Sequence, residues 1–78
     1  MLVRRELDSD QIVELIRRTP GITPIDREIA RLKLVDDLLD VEISAAKGIH
    51  YSRSSVTRHL HKVIPLIEYR YLKDKAGA

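Results

Sequence analysis

The 78 residues, 44% hydrophobic and 33% charged, suit one small globular domain spanning 1–78 and leave no room for a second. Cysteine is absent, so disulfides and thiolate zinc sites are excluded, and a chain that buries only roughly 60% of its unfolded surface must rely on tight helix packing or a second subunit. Net charge is +2 but unevenly placed: residues 1–43 carry seven Lys/Arg against ten Asp/Glu, a balance of −3, and residues 44–78 carry seven against two, a balance of +5, which suggests a polyanion-facing second half.

Phe and Trp are missing, and apolar residues recur at three and four rather than at two, so the expected class is all-α. The opening Met1-Leu2-Val3-Arg4-Arg5-Glu6 has no long apolar run, so neither a signal peptide nor a membrane span is expected there, and the default setting is cytoplasmic. A first helix is expected after Asp8 or Ser9, with Ile12, Val13, Leu15 and Ile16 on one side, ending near Thr19 at Pro20-Gly21. Thr23-Pro24-Ile25-Asp26 supplies a hydroxyl cap, proline at the first helical position and a carboxylate three residues after the cap, able to bond back to the cap amide and meet the helix dipole. Ile25, Ile29, Leu32, Val35 and Leu39 continue that helix at helical spacing, widened by Leu34 and Leu38.

Asp40 is the expected cap of a short helix from Val41 to about Lys47, with Ile43 and Ala46 inward, and Gly48 to Tyr51 is a break. Ser52 then caps a helix whose inward residues are Val56, Leu60 and Val63; Pro65 is expected to end or kink it at Ile64. Leu66 to Lys73 is a further short helix or a continuation. The architecture implied is a four- or five-helix tetrahelical domain whose core motif covers about 40–64, with 66–74 a candidate dimerisation helix.

The Ser52 helix carries the functional argument. One apolar face anchors it, and outward it shows only Ser, Thr, Arg, His and Lys, which suits entry into a groove about 12 Å wide. Arg53 and Arg58 are planar forks that can take the O6/N7 edge of guanine or a phosphate, and Ser54, Ser55 and Thr57 are short enough for close backbone approach. The Ser52 hydroxyl and the first free amides make a phosphate seat.

The run Ala46-Lys47-Gly48-Ile49-His50-Tyr51-Ser52-Arg53-Ser54-Ser55-Val56-Thr57-Arg58-His59-Leu60 resembles the helix-turn-helix of bacterial and phage regulators, with Ala46 at the small position, Val56 and Leu60 as the core pair, and His50 where glycine is usual. Ile22-Thr23-Pro24-Ile25-Asp26-Arg27-Glu28-Ile29 through Leu38-Leu39-Asp40-Val41-Glu42-Ile43 resembles the fourth conserved region of sigma factors and related phage regulators; aligned on Ile43, that pattern gives a turn longer by two residues. The two alignments place the turn glycine differently, at His50 or at Gly48. The resemblance implies groove-facing, base-reading roles for Arg53, Ser54, Thr57, Arg58 and His61, and backbone phosphate contacts for Lys47, Tyr51, Ser52 and Lys62.

Other chemistries find less in the residues. His59 and His61 lie two apart and so do not share a helix face; His59 is expected beside Leu60, and His61 toward solvent or phosphate. Asp36, Asp37, Asp40 and Glu42 read as a solvated acidic rim rather than a magnesium or acid–base site. No third residue orients Ser54 or Ser55 with His59 as a triad. The expectation is therefore a non-enzymatic transcriptional regulator of phage, mobile-element or host genes, binding double-stranded DNA as a homodimer or with a protein partner. No cofactor, metal, membrane or small-molecule ligand is expected. A protein-interaction module, either a sigma-like polymerase-docking domain or a small packaging subunit, is the alternative from another class.

Overall fold

Side chains that accept free amides set where the main helices begin. The computed structural model describes residues 2–77 and holds, among them, five helices and no strand: α1 (Leu2–Glu6), α2 (Ser9–Arg18), α3 (Pro24–Leu34), α4 (Asp40–Ser44) and α5 (Arg53–Ala76). Asp8 is the α2 cap, its carboxylate accepting from the Gln11 amide at 2.8 Å while Gln11 Oε1 accepts from the Asp8 amide at 2.9 Å. Thr23 Oγ1 accepts from the Asp26 amide at 3.2 Å to start α3, and Ser52 Oγ accepts from the Ser55 amide at 3.2 Å to start α5.

Several local expectations change, among them the end of α4, which falls at Ser44 rather than near Lys47, and Val13, which is exposed rather than inward. The leading segment forms α1, too short to show a periodicity but anchored by the fully buried Val3. The α3 helix stops at Leu34 rather than near Leu39; Asp37 adopts a left-handed φ of 57°, which Asp tolerates, and Leu39 is left 62% exposed. Leu39, not Asp40, occupies the cap position of α4, and Glu42 Oε1 accepts from the Leu39 amide at 2.7 Å, so the Asp40 carboxylate is available elsewhere. Finally, of the two courses left open after Pro65, a separate short helix or a continuation, the chain takes the continuation, and α5 runs through the proline to Ala76.

The persistence of α5 follows from anchors on both sides of the proline. Val56, Leu60, Val63 and Ile67 are all buried, whereas Pro65 faces solvent, where the His61 carbonyl it cannot serve can meet water. Val56 and Leu60 pack with Ile29, Leu32, Ile43 and Ile49 in one cluster; Val63 and Ile67 pack with Val3, Ile12, Leu15, Ile16, Ile22, Ala30 and Leu34 in the other. Each such aliphatic burial contributes roughly 1.5–3 kcal/mol, so two good anchors on either side offset the roughly 3 kcal/mol cost of an interior proline. A 24-residue helix is about 36 Å long, which accounts for the 38 Å dimension of the molecule. Thus α5 is the spine: its first half is held by α3 and α4, its second by α1 and α2.

Among the described residues no helix is long and apolar enough to cross a membrane.

Candidate nucleic-acid interface

The turn of residues 45–52 delivers the chain from α4 to the start of α5. Gly48 takes a φ of +86°, and His50 is not among the positive-φ residues, so the glycine sits early in a longer turn rather than His50 replacing it. Ile49 is buried between the two helices and pins the turn to the core.

Two polar ties then fix how α5 presents its first turns. On one side Thr57 Oγ1 donates to Asp40 Oδ2, and Lys33 Nζ donates to Asp40 Oδ1 at 2.9 Å, joining α3, α4 and α5 at one carboxylate. The Thr57 hydroxyl and then the Lys33 ammonium hold the Asp40 carboxyl below its ordinary range. On the other side His59 Nδ1 lies 2.8 Å from Oδ1 of Asp26, whose side chain is only 5% exposed, and the His59 ring stacks on Tyr51 with centroids 4.5 Å apart and planes 15° apart. Asp26 was expected to bond back to its own helix cap; instead its carboxylate reaches across to α5. His59, expected to lie simply beside Leu60, is a half-buried strut between α3 and the turn.

The residues expected to read bases do not all face one way. Arg53, Ser54 and Thr57 line a shallow groove with Leu39, Asp40 and Val41. Arg53 and Ser54 are exposed, but Thr57 is half-buried with its hydroxyl engaged by Asp40. Arg58 is exposed and its Nη2 donates to Ser55 Oγ at 3.0 Å, which steadies the guanidinium over the helix start. His61 is exposed on the flank it shares with Lys33, Asp40 and Pro65. Of the residues expected to meet phosphates, Lys47, Ser52 and Lys62 are exposed and Tyr51 is half-buried against His59. Lys62 and Arg58, one turn apart, border a common groove with His59.

Charge pairing is uneven, and outside this region Arg5, Arg27 and Lys73 also have no carboxylate within 4 Å among the described residues. Arg4, Arg17, Arg18, Arg31, Lys33, Arg70 and Lys75 each meet a carboxylate within 4 Å. Among the described residues none lies within that distance of Lys47, Arg53, Arg58 or Lys62. Unpaired cations retain their full attraction for an external anion. No three His, Asp or Glu side chains are grouped as a metal site among the described residues.

Sequence reading missed both cross-element ties, Asp26–His59 and Asp40–Thr57. Their partners lie 33 and 17 positions apart, and no local pattern links them.

Comparison with family models, curated proteins and solved structures finds no match for this chain.

Proposed function

We propose that this chain binds double-stranded DNA through the N-terminal half of α5 and acts as a transcriptional regulator by occupying its site. The observation that carries this reading is the set of exposed cations without carboxylate partners among the described residues, Lys47 in the turn and Arg53, Arg58 and Lys62 along the N-terminal half of a serine-capped helix. Its backbone is held rigid by Val56, Leu60 and the two polar ties, so groove entry need not wait on ordering of the helix. Phosphate contacts from Lys47, Ser52 and Lys62 would position the domain, and Arg53, Ser54, Arg58 and His61 would meet base edges. The resemblance of the turn and helix to helix-turn-helix regulators supports the same assignment.

One helix of this size covers little DNA, so a pair of copies on half-sites about 34 Å apart completes the proposal. Leu66, Tyr69 and Leu72, which α5 leaves 39%, 65% and 48% exposed, are the surface we assign to that contact. The same exposed residues are what favours the second reading, a module that docks on another protein.

Duplex titration of charge-removing variants tests the assignment. Arg58→Ala should lose about 1–3 kcal/mol of duplex affinity, and Lys62→Ala should weaken binding to all sequences alike. Arg17→Ala removes a cation already satisfied by Glu14 and should bind as the parent does. An Arg58→Ala variant that folds and binds with parental affinity would remove α5 from the interface.

A further inference from the structure

Between α3 and α4 the sequence shows an acidic rim, yet in the fold each of its carboxylates has a partner. Asp36 Oδ2 meets Arg31 at 3.3 Å and Asp37 Oδ1 meets Arg4 at 2.7 Å. Asp40 accepts from Lys33 and Thr57, and Glu42 Oε1 accepts from the Leu39 amide at 2.7 Å. What this stretch leaves in solvent is apolar: Leu39 is 62% exposed and Val41 53%. Neither sits on a loose loop. Asp40 between them is tied to α3 and α5, and the fully buried Ile43 anchors α4 two residues on.

Leu39 and Val41 line a groove of about 420 Å³ together with Asp40 and with Arg53, Ser54 and Thr57 of α5. Arg53 has no carboxylate within 4 Å among the described residues, and Ser54 is exposed. One groove thus offers an unpaired cation, a hydroxyl and two held aliphatic side chains. Its complement must carry negative charge, hydrogen-bonding edges and an apolar group close together. The major groove of DNA does so, because thymine displays a C5-methyl there beside base-edge acceptors and between the phosphate backbones.

We infer that Leu39 and Val41 form an apolar subsite for the thymine methyl, so that part of the sequence preference lies outside α5. This rests on the DNA-binding reading above and adds to it a base that the domain selects and two residues that select it. The backbone carrying both side chains is already fixed, so the contact costs little ordering. Uracil lacks only this methyl and keeps every hydrogen-bonding group of thymine. Exchanging the two bases therefore removes the apolar contact and leaves those of Arg53 and Ser54 in place.

The test compares the affinity of the whole chain for two A·T-rich duplexes of one sequence, one made with thymidine and the other with deoxyuridine, at one low salt concentration. The parent should prefer the thymine duplex about fourfold for each methyl it covers, the ratio that corresponds to about 0.8 kcal/mol for burying one such group. Val41→Thr keeps the shape of its side chain, and Leu39→Asn places a favoured residue at the cap of α4, so far-UV circular dichroism should show both folded. Each variant should lower the preference by itself, and the double variant should bind the two duplexes equally. Val13→Thr alters an exposed valine in a different groove and should keep the parental ratio. In a G·C-rich duplex, 5-methylcytosine in place of cytosine presents a methyl at the same ring position. It should tighten parental binding by a similar factor and leave the double variant unmoved. Equal parental affinity for the thymine and uracil duplexes, or a thymine preference that survives in the folded double variant, would overturn the methyl subsite and leave the DNA reading standing. No binding to either duplex would overturn the DNA reading and the subsite with it.

Discussion

Thr57 shows how one hydroxyl can be drawn from an outward role into a structural one. In sequence it lies among groove-facing candidates; in the fold its oxygen donates to Asp40, which also accepts from Lys33. Thr57→Val keeps the shape and removes the donor, so it should cost about 1 kcal/mol near neutral pH in urea unfolding. The sign with pH follows from the depressed Asp40 carboxyl: its contribution is fully present above the ordinary carboxylate value of about 3.9 and is lost as pH falls through the lower folded value. The difference between Thr57→Val and the parent should therefore shrink at about pH 2; a constant difference would mean that the ionised carboxylate is not the partner that matters. Ser52 was legible in the sequence because its cap bond spans three residues, whereas Asp40 read as a helix cap and a rim carboxylate, and its tie to Thr57, 17 positions away, comes only with the fold. Asp26 shows the same limit, since its pairing with His59 depends on where α3 crosses α5.

At the scale of elements, α5 resisted local reading because a proline signal competes with burial. Pro65 should interrupt a helix, yet Val63 and Ile67 are held in the core on either side of it and the helix continues. Pro65→Ala restores an amide donor to the His61 carbonyl and relieves ring crowding, and should raise stability by about 1–3 kcal/mol, read as a higher urea midpoint. An unchanged or lower midpoint would show that the proline fits the helix without cost. The end of α3 was misread for a related reason: Leu34, Val35, Leu38 and Leu39 sustain an apolar pattern, but the chain turns at Asp37, and Leu39 is left in solvent. Where the turn needed a particular backbone, the reading narrowed to two residues, and the positive φ at Gly48 chooses between them. The existence of α2 to α5, the Thr23 and Ser52 starts, an α2 start at Asp8 or Ser9 and most of the core were legible because each rests on near neighbours in the chain, whereas α1 was not.

Across the whole molecule, the ion pairs gather away from the start of α5, although Arg5, Arg27 and Lys73 are also without a carboxylate partner among the described residues. Ion pairs knit α1 and α2 to the end of α5, as where Glu6 accepts from both Tyr71 and Lys75, and where Arg18 meets Asp74 at 2.8 Å. At the start of α5 and in the turn before it, Lys47, Arg53, Arg58 and Lys62 lack such partners among the described residues, in a chain of net charge +2. The half-chain balance of +5 already pointed there, but pairing, not formal charge, distinguishes Arg58 and Lys62 from Arg70 and Lys75. Such an end should release counterions when it meets a duplex, and an apolar docking surface should not. The most direct measurement is the duplex association constant as a function of salt concentration. With three or more phosphates neutralised, a plot of log K against log salt should fall with a slope of about −3 or steeper. Affinity that stays level as salt rises, or no duplex binding at low salt, would contradict DNA binding through α5.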